Sequence, residues 1–116
     1  MVNMTNLQRL MLEIKGIELD QNELAVYLAE NGLNPHDEYN PQSATAKKKV
    51  YQTALSILES IANNPSLMRS YKLDDMTITD FHENLLNRID QLERKIRSMK
   101  TDEQEQQGNV FMLFNS

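Results

Sequence analysis

Hydrophobic positions near the N-terminus recur at helical spacing. Thr5 and Gln8 have the spacing of a capping box, in which each side chain binds the other residue's backbone, and Gly16 is typical of a helix stop. Apolar residues between these signals follow the i, i+3, i+4, i+7 pattern of one helix face: Leu7, Leu10, Met11 and Ile14. The pattern predicts a short first helix.

A second short helix is predicted directly after the first. Asp20 and Glu23 have capping-box spacing, Leu19 and Leu24 stand where a hydrophobic staple forms, and Gly32 marks the end. Helices this short do not persist in water without packing. We therefore expect both of them to lie on a larger element.

The middle of the chain predicts that larger element. Asn40 is a candidate N-cap with Pro41 at the first helical position, and the sequence Asn63-Asn64-Pro65 breaks the pattern. A helix between these signals is about 33 Å long. Its apolar positions form two adjacent stripes, wide enough to receive partners on two sides: Val50, Ala54, Ile57 and Ile61 in one, and Tyr51, Leu55, Leu58 and Ala62 in the other.

After this helix the pattern changes to alternation. Apolar side chains alternate with polar ones on both sides of Asp74-Asp75, which predicts a short extended segment or small hairpin. An isolated two-stranded piece is marginally stable, and its open edge can pair with another chain. We therefore predict a subunit contact in this segment, made by Tyr71, Leu73, Met76 and Ile78.

The last helix is predicted to begin at Asp80, with Glu83 completing a third capping box. Its apolar positions are spaced four and three apart, and antiparallel packing on the long helix is their expected use: Leu85, Ile89, Leu92, Ile96 and Met99. The predicted core combines these elements and contains Leu10, Ile14, Leu24, Leu28, Val50, Ala54, Ile57, Ile61, Leu85, Ile89, Leu92 and Ile96. The predicted fold class is mainly α: a small four-helix domain over residues 1–99, with a short extended segment or hairpin before the last helix.

The sequence closes on an apolar tip after a polar run. Residues 100–109 have the composition of a linker, whereas the next five are all apolar: Val110, Phe111, Met112, Leu113 and Phe114. Such a tip is a liability in water. We interpret residues 100–116 as a polar linker and an extended C-terminal arm whose tip binds a neighbouring protein. The alternative is that the tip folds back as a strand on residues 71–78.

Composition narrows the classes of function. The chain has 116 residues, a net charge of −5, no cysteine and two histidines. The charge argues against the broad basic surface that most nucleic-acid binders need, and the absence of cysteine removes disulfides and thiol catalysis. The N-terminus has no signal-peptide pattern, and no window approaches the ~20 apolar residues of a membrane span. We expect a protein of the cytoplasm that does not bind membranes.

No group of residues predicts catalysis or a cofactor. His82 begins a pattern like that of zinc proteases, but Leu86 stands where the second ligand is needed, and His36 is alone in a loop. Asp74-Asp75 supplies too few oxygens for Ca²⁺. The basic run is more typical of a solvated helix face: Lys47, Lys48 and Lys49. We therefore predict no enzyme, no metal and no cofactor.

Roughly residues 50–99 resemble small phage head–tail connector (adaptor) proteins. The resemblance lies in the helix break Ile61-Ala62-Asn63-Asn64-Pro65, in the extended segment LMRSYKLDDMTI at residues 67–78, and in the helix sequence LLNRIDQL at residues 85–92. The family has a similar break, a similar extended segment and an L-L-x-R-I-x-x-L pattern in the last helix. Asp74 stands where the family commonly has glycine.

The resemblance implies a structural virion protein that forms a ring beneath the portal, typically of twelve copies, extends the DNA channel and joins head to tail. The implied partners are further copies of the chain, the portal protein and downstream tail or stopper proteins. DNA would pass through the bore without sequence-specific binding. The implied location is the virion, and the host cytoplasm during assembly.

Two other interpretations remain open from the sequence. One is a small cytoplasmic helical regulator or adaptor that acts through protein–protein contacts, as a dimer through residues 85–99. The other is a DNA-binding helical domain that uses Lys47, Lys48, Lys49, Arg88, Arg94 and Arg97.

Overall fold

The computed structural model describes residues 3–15, 17, 19–64 and 77–101 of the chain. These residues form four helices: α1 (Asn6–Glu13), α2 (Gln21–Glu30), α3 (Ala44–Ala62) and α4 (Ile78–Ser98). The mainly α fold class is therefore confirmed. Residues 71–76, predicted to be extended, and the C-terminal arm lie outside the described residues, as does Gly16.

The N-terminus of α1 has a bonding partner for each of its first backbone N–H groups. Thr5 and Gln8 form the predicted capping box, with Gln8 N donating to Thr5 Oγ1 at 3.1 Å and Thr5 N donating to Gln8 Oε1 at 2.9 Å. The N–H groups of Asn6 and Leu7 donate to the carbonyls of Asp37 and Pro35, at 2.9 and 3.1 Å. The loop before α3 therefore completes the start of α1.

The two ends of α2 differ in how well the sequence predicted them. Asp20 is the N-cap, but its side chain makes no capping hydrogen bond, so the predicted capping box with Glu23 is not formed. Gly32 does terminate the helix, with φ of +83°. Its N–H donates to Ala29 O at 3.1 Å, and Leu33 N donates to Leu28 O at 3.0 Å, which is the bonding pattern of a Schellman motif.

The predicted start of α3 at Asn40 and Pro41 is wrong. Asn40 Oδ1 accepts from Gln42 N at 3.0 Å, and its carbonyl accepts from Ser43 N at 3.1 Å, so Asn40 and Pro41 form a turn instead. Ser43 is the actual N-cap, because its hydroxyl accepts from Ala46 N at 3.1 Å. The helix of 19 residues is about 28 Å long.

The predicted start of α4 at Asp80 is also wrong. Thr77 is the N-cap, and its hydroxyl accepts from Asp80 N at 3.0 Å. Asp80 therefore occupies the third helical position and does not cap the helix. Its negative charge there interacts favourably with the positive end of the helix dipole. Ile78 is the first residue of α4, so the extended segment predicted over residues 71–78 does not reach that far.

The core is organised around α3, which packs against all three other helices. Ten of the twelve predicted core residues are buried, and Ile89 and Ile96 are half-buried against the same cluster. Three further core side chains, Tyr51, Leu58 and Phe81, were not in the predicted set. The end of α4 lies beside the start of α3, since Met99 and Ala44 line the same groove. The predicted antiparallel packing of the last helix is confirmed.

Candidate functional site

Most residues predicted to bind partners lie outside the described part of the chain. This holds for Val110, Phe111, Met112, Leu113 and Phe114 at the tip, and for Tyr71, Leu73 and Met76 in the predicted contact segment. Ile78 is placed only as the first residue of α4. The arm and the subunit contact therefore remain predictions.

Arg88 is the residue of the last helix that ties it to the first. Its guanidinium donates from Nη1 to Lys15 O at 3.1 Å and from Nη2 to Glu13 O. The Glu13 carbonyl ends α1, where the last acceptors have no intrahelical partners, and the Lys15 carbonyl follows two residues later. A cation at this end also complements the helix dipole. Arg88 thus caps α1 from a position more than seventy residues away in sequence.

Arg9 on α1 lies between two tyrosine rings. Its guanidinium carbon is 5.6 Å from the ring centroid of Tyr39 and 5.6 Å from that of Tyr51. Its Nη2 donates to Glu13 Oε1 at 3.1 Å and, at a long 3.5 Å, to the Tyr51 hydroxyl. The ammonium of Lys95 stands 4.5 Å from the centroid of the same Tyr51 ring. The cluster joins α1, α3, α4 and the loop before α3.

The charge of Arg9 is fixed by this environment. Burial alone acts to lower the pKa of Arg9, but the carboxylate of Glu13 and the hydroxyl of Tyr39 outweigh it, and the pKa lies above its usual value. Arg9 therefore stays charged wherever the protein is folded. We interpret the cluster as an anchor between elements, because its side chains come from separate parts of the chain and meet around one partly buried cation.

A basic groove lies where α3 begins and α4 ends. It has a volume of about 410 Å³ and is lined by Pro41, Gln42, Ser43, Ala44, Lys47, Ser98, Met99 and Lys100. Two lysines and no carboxylate are in this lining. Within the described residues, neither Lys47 nor Lys100 has an ion-pair partner. The groove is larger than the space between α2 and the end of α3, which is about 30 Å³.

The two alternative interpretations each lose part of their basis. The residues predicted to form a dimer seam pack on α3 within one chain, with Leu85 2% and Leu92 7% exposed. Of the residues predicted to bind DNA, Arg88 is held by backbone carbonyls, and Arg94 Nη2 pairs with Asp90 Oδ2 at 3.0 Å. The seam is therefore not a free surface, and two of the six residues predicted to bind DNA are engaged within the chain.

The described residues contain no grouping of three histidine or acidic side chains that could hold a metal ion. His36 is exposed in the loop before α3, and His82 is half-buried in the first turns of α4. Asp74-Asp75 lies outside the described residues. In the described part of the chain, no helix is long and apolar enough to cross a membrane.

No family model, no curated protein and no solved structure matches the chain.

Proposed function

We propose that the chain is a structural virion protein, a head–tail connector subunit that forms a ring beneath the portal, extends the DNA channel and joins head to tail. The observation that carries the proposal is the agreement between the L-L-x-R-I-x-x-L resemblance and the packing of α4. Leu85, Ile89 and Leu92 pack towards the core, and Arg88 caps α1. The residues of the pattern therefore hold α4 on the core and against α1, and a ring component needs such a rigid domain.

One apolar residue of that pattern is not used by the fold. Leu86 is 47% exposed, although the residues around it in the pattern are buried or engaged. In a chain whose resemblance points to assembly, an exposed leucine at a patterned position supports contact with another protein. The proposed partners are further copies of the chain, the portal protein and downstream tail or stopper proteins.

The acidic balance of the chain is compatible with a DNA channel. A net charge of −5 on each of many copies gives the ring a negative field that repels phosphate and keeps DNA mobile in the bore. DNA would pass without sequence-specific binding. The proposed location is the virion, and the host cytoplasm during assembly.

A mass measurement tests the proposal. The chain is purified alone and after co-expression with the portal protein of the same genome, and native mass spectrometry gives the mass of each species. We expect a high-mass species that contains the portal and many copies of the chain. A stable dimer that does not bind the portal protein would contradict the proposal and support a helical regulator.

The C-terminal arm has its own test within this proposal. Burial of each large apolar side chain at residues 110–114 contributes ~1.5–3 kcal/mol, while ordering each residue costs ~1–2 kcal/mol. One arm therefore binds weakly, and many arms on one ring bind durably. Deletion of residues 108–116 is expected to abolish attachment to the portal and leave the melting temperature unchanged. A sharp drop in melting temperature with attachment retained would place the tip in the chain's own core.

A further inference from the structure

The described charges are unevenly distributed along α3. The basic groove lies at its first turn, with Lys47 and Lys100 in the lining. The positive end of the α3 dipole points into the same region. Lys95, exposed and seated over the Tyr51 ring, lies further along the same end of α4. A surface of this sign attracts carboxylates.

The opposite end of the domain is acidic. α2 begins near the end of α3, since Glu23, Ser60 and Asn64 line one small space. Because α4 is antiparallel to α3, its first turns also lie at this end. Five exposed carboxylates stand there and have no ion-pair partner within the described residues: Asp20, Glu23, Glu59, Asp80 and Glu83. We call these five residues the acidic end.

The two charged surfaces are separated by roughly the 28 Å length of α3. When one protomer presents unlike surfaces at its two ends, contact between copies is head-to-tail, and repetition of that contact closes a ring if the rotation permits. We propose that the basic groove binds the acidic end of a second copy of this chain. This contact rests on the proposed function, because it supplies the interface that a connector ring requires.

A second copy fits the groove better than a nucleic acid does. Phosphate-backbone binding depends on many cationic contacts, whereas this groove offers two lysines on a chain with net charge −5. The acidic end offers five carboxylates to the two lysines of the groove. The chain's own acidic residues after Thr101 are a competing occupant, and the experiment below separates the two.

Charge exchange between the two surfaces tests the contact. One variant carries Lys47→Glu and Lys100→Glu, and the other carries Glu59→Lys and Glu83→Lys. None of these four residues caps a helix. Sedimentation velocity at low and high salt measures self-association, and circular dichroism checks folding. Lys15→Glu is the control, because Lys15 is an exposed lysine that does not line the groove and is not one of the five acidic-end residues.

We expect the wild-type chain to self-associate at low salt, and we expect the affinity of this association to fall about tenfold or more at high salt. Each double variant alone should associate about tenfold or more weakly, because exposed attractions become repulsions. An equimolar mixture of the two variants should recover wild-type association, since reversed surfaces then meet each other. A wild-type chain that is monomeric at low salt, a double variant that associates normally or a mixture that fails to recover would each overturn the inference.

Two further experiments identify other occupants of the basic groove. A full-length chain with Asp102→Asn, Glu103→Gln and Glu105→Gln should associate like the wild type, and loss of association in this variant would assign the groove to the chain's own acidic segment. If short duplex DNA binds the wild type and the lysine variant alone abolishes that binding, with self-association unchanged, the groove is a phosphate site and the inference is wrong. Portal capture without self-association through these surfaces overturns the contact and leaves the proposed function. Salt-dependent self-association without portal capture supports the contact and contradicts the proposed function.

Discussion

Arg88→Ala tests whether a single side chain holds the first helix to the last. The substitution removes two hydrogen bonds from a charged donor to the carbonyls of Glu13 and Lys15. Hydrogen bonds to charged groups contribute ~1.5–3 kcal/mol each, and the half-buried position of Arg88 favours the lower value. We therefore expect a loss of about 3 kcal/mol in the free energy of unfolding. For a chain of 116 residues this lowers the melting temperature by about 10 °C.

The assay is thermal and urea unfolding followed by far-ultraviolet circular dichroism, because the chain has no tryptophan. Arg94→Ala is the matched control, since Arg94 lies on the same helix in an exposed ion pair with Asp90 that is worth only ~0.3 kcal/mol. Arg88→Lys should recover about half of the loss, because one ammonium group cannot reproduce the two-armed geometry of a guanidinium. If Arg88→Ala melts within about 2 °C of Arg94→Ala, the capping role is wrong.

Three further predictions follow from the fold. Ser43→Ala should cost about 1 kcal/mol of unfolding free energy because it removes the actual N-cap of α3, whereas Asn40→Ala should cost less; equal losses in urea titrations would contradict the assigned cap. Ile57→Asp should prevent folding, because it buries an unpaired charge at a position 1% exposed, and a helical, cooperatively melting variant would refute its placement. Leu86→Asp should leave the melting temperature unchanged and weaken binding to the portal. Leu12→Asp, at a similarly exposed leucine on α1, should change neither the melting temperature nor portal binding; equal portal binding by the two variants would show that Leu86 is not in the interface.

Hydrophobic spacing was sufficient to predict the helices and most of the core. Leu10, Leu28 and Ile57 are buried because each stands on an apolar stripe at helical period, and such stripes depend on local sequence alone. Helix starts were less predictable, because several capping residues compete. Asn40 and Asp80 have suitable side chains, but Ser43 and Thr77 make the bonds.

The charged clusters could not be predicted from local sequence. Arg9, Tyr39, Tyr51 and Lys95 come from four separate stretches, and no spacing rule brings them together. The basic groove was closer to being predictable. Antiparallel packing of the last helix on the long one already places the region of Lys100 beside that of Lys47. The predicted N-cap of α3 was three residues too early, so the sequence did not place Lys47 at the first turn of the helix.

The way α1 is held at both ends has a consequence for the order in which the chain folds. The helix has eight residues, too few to be stable alone. Its first N–H groups need the carbonyls of residues 35 and 37, and its last carbonyls need Arg88. On a ribosome, α1 therefore waits until almost the whole domain has emerged. The first helix synthesised is therefore the last to form and the first to open, so its amide hydrogens should exchange with solvent faster than those of α3.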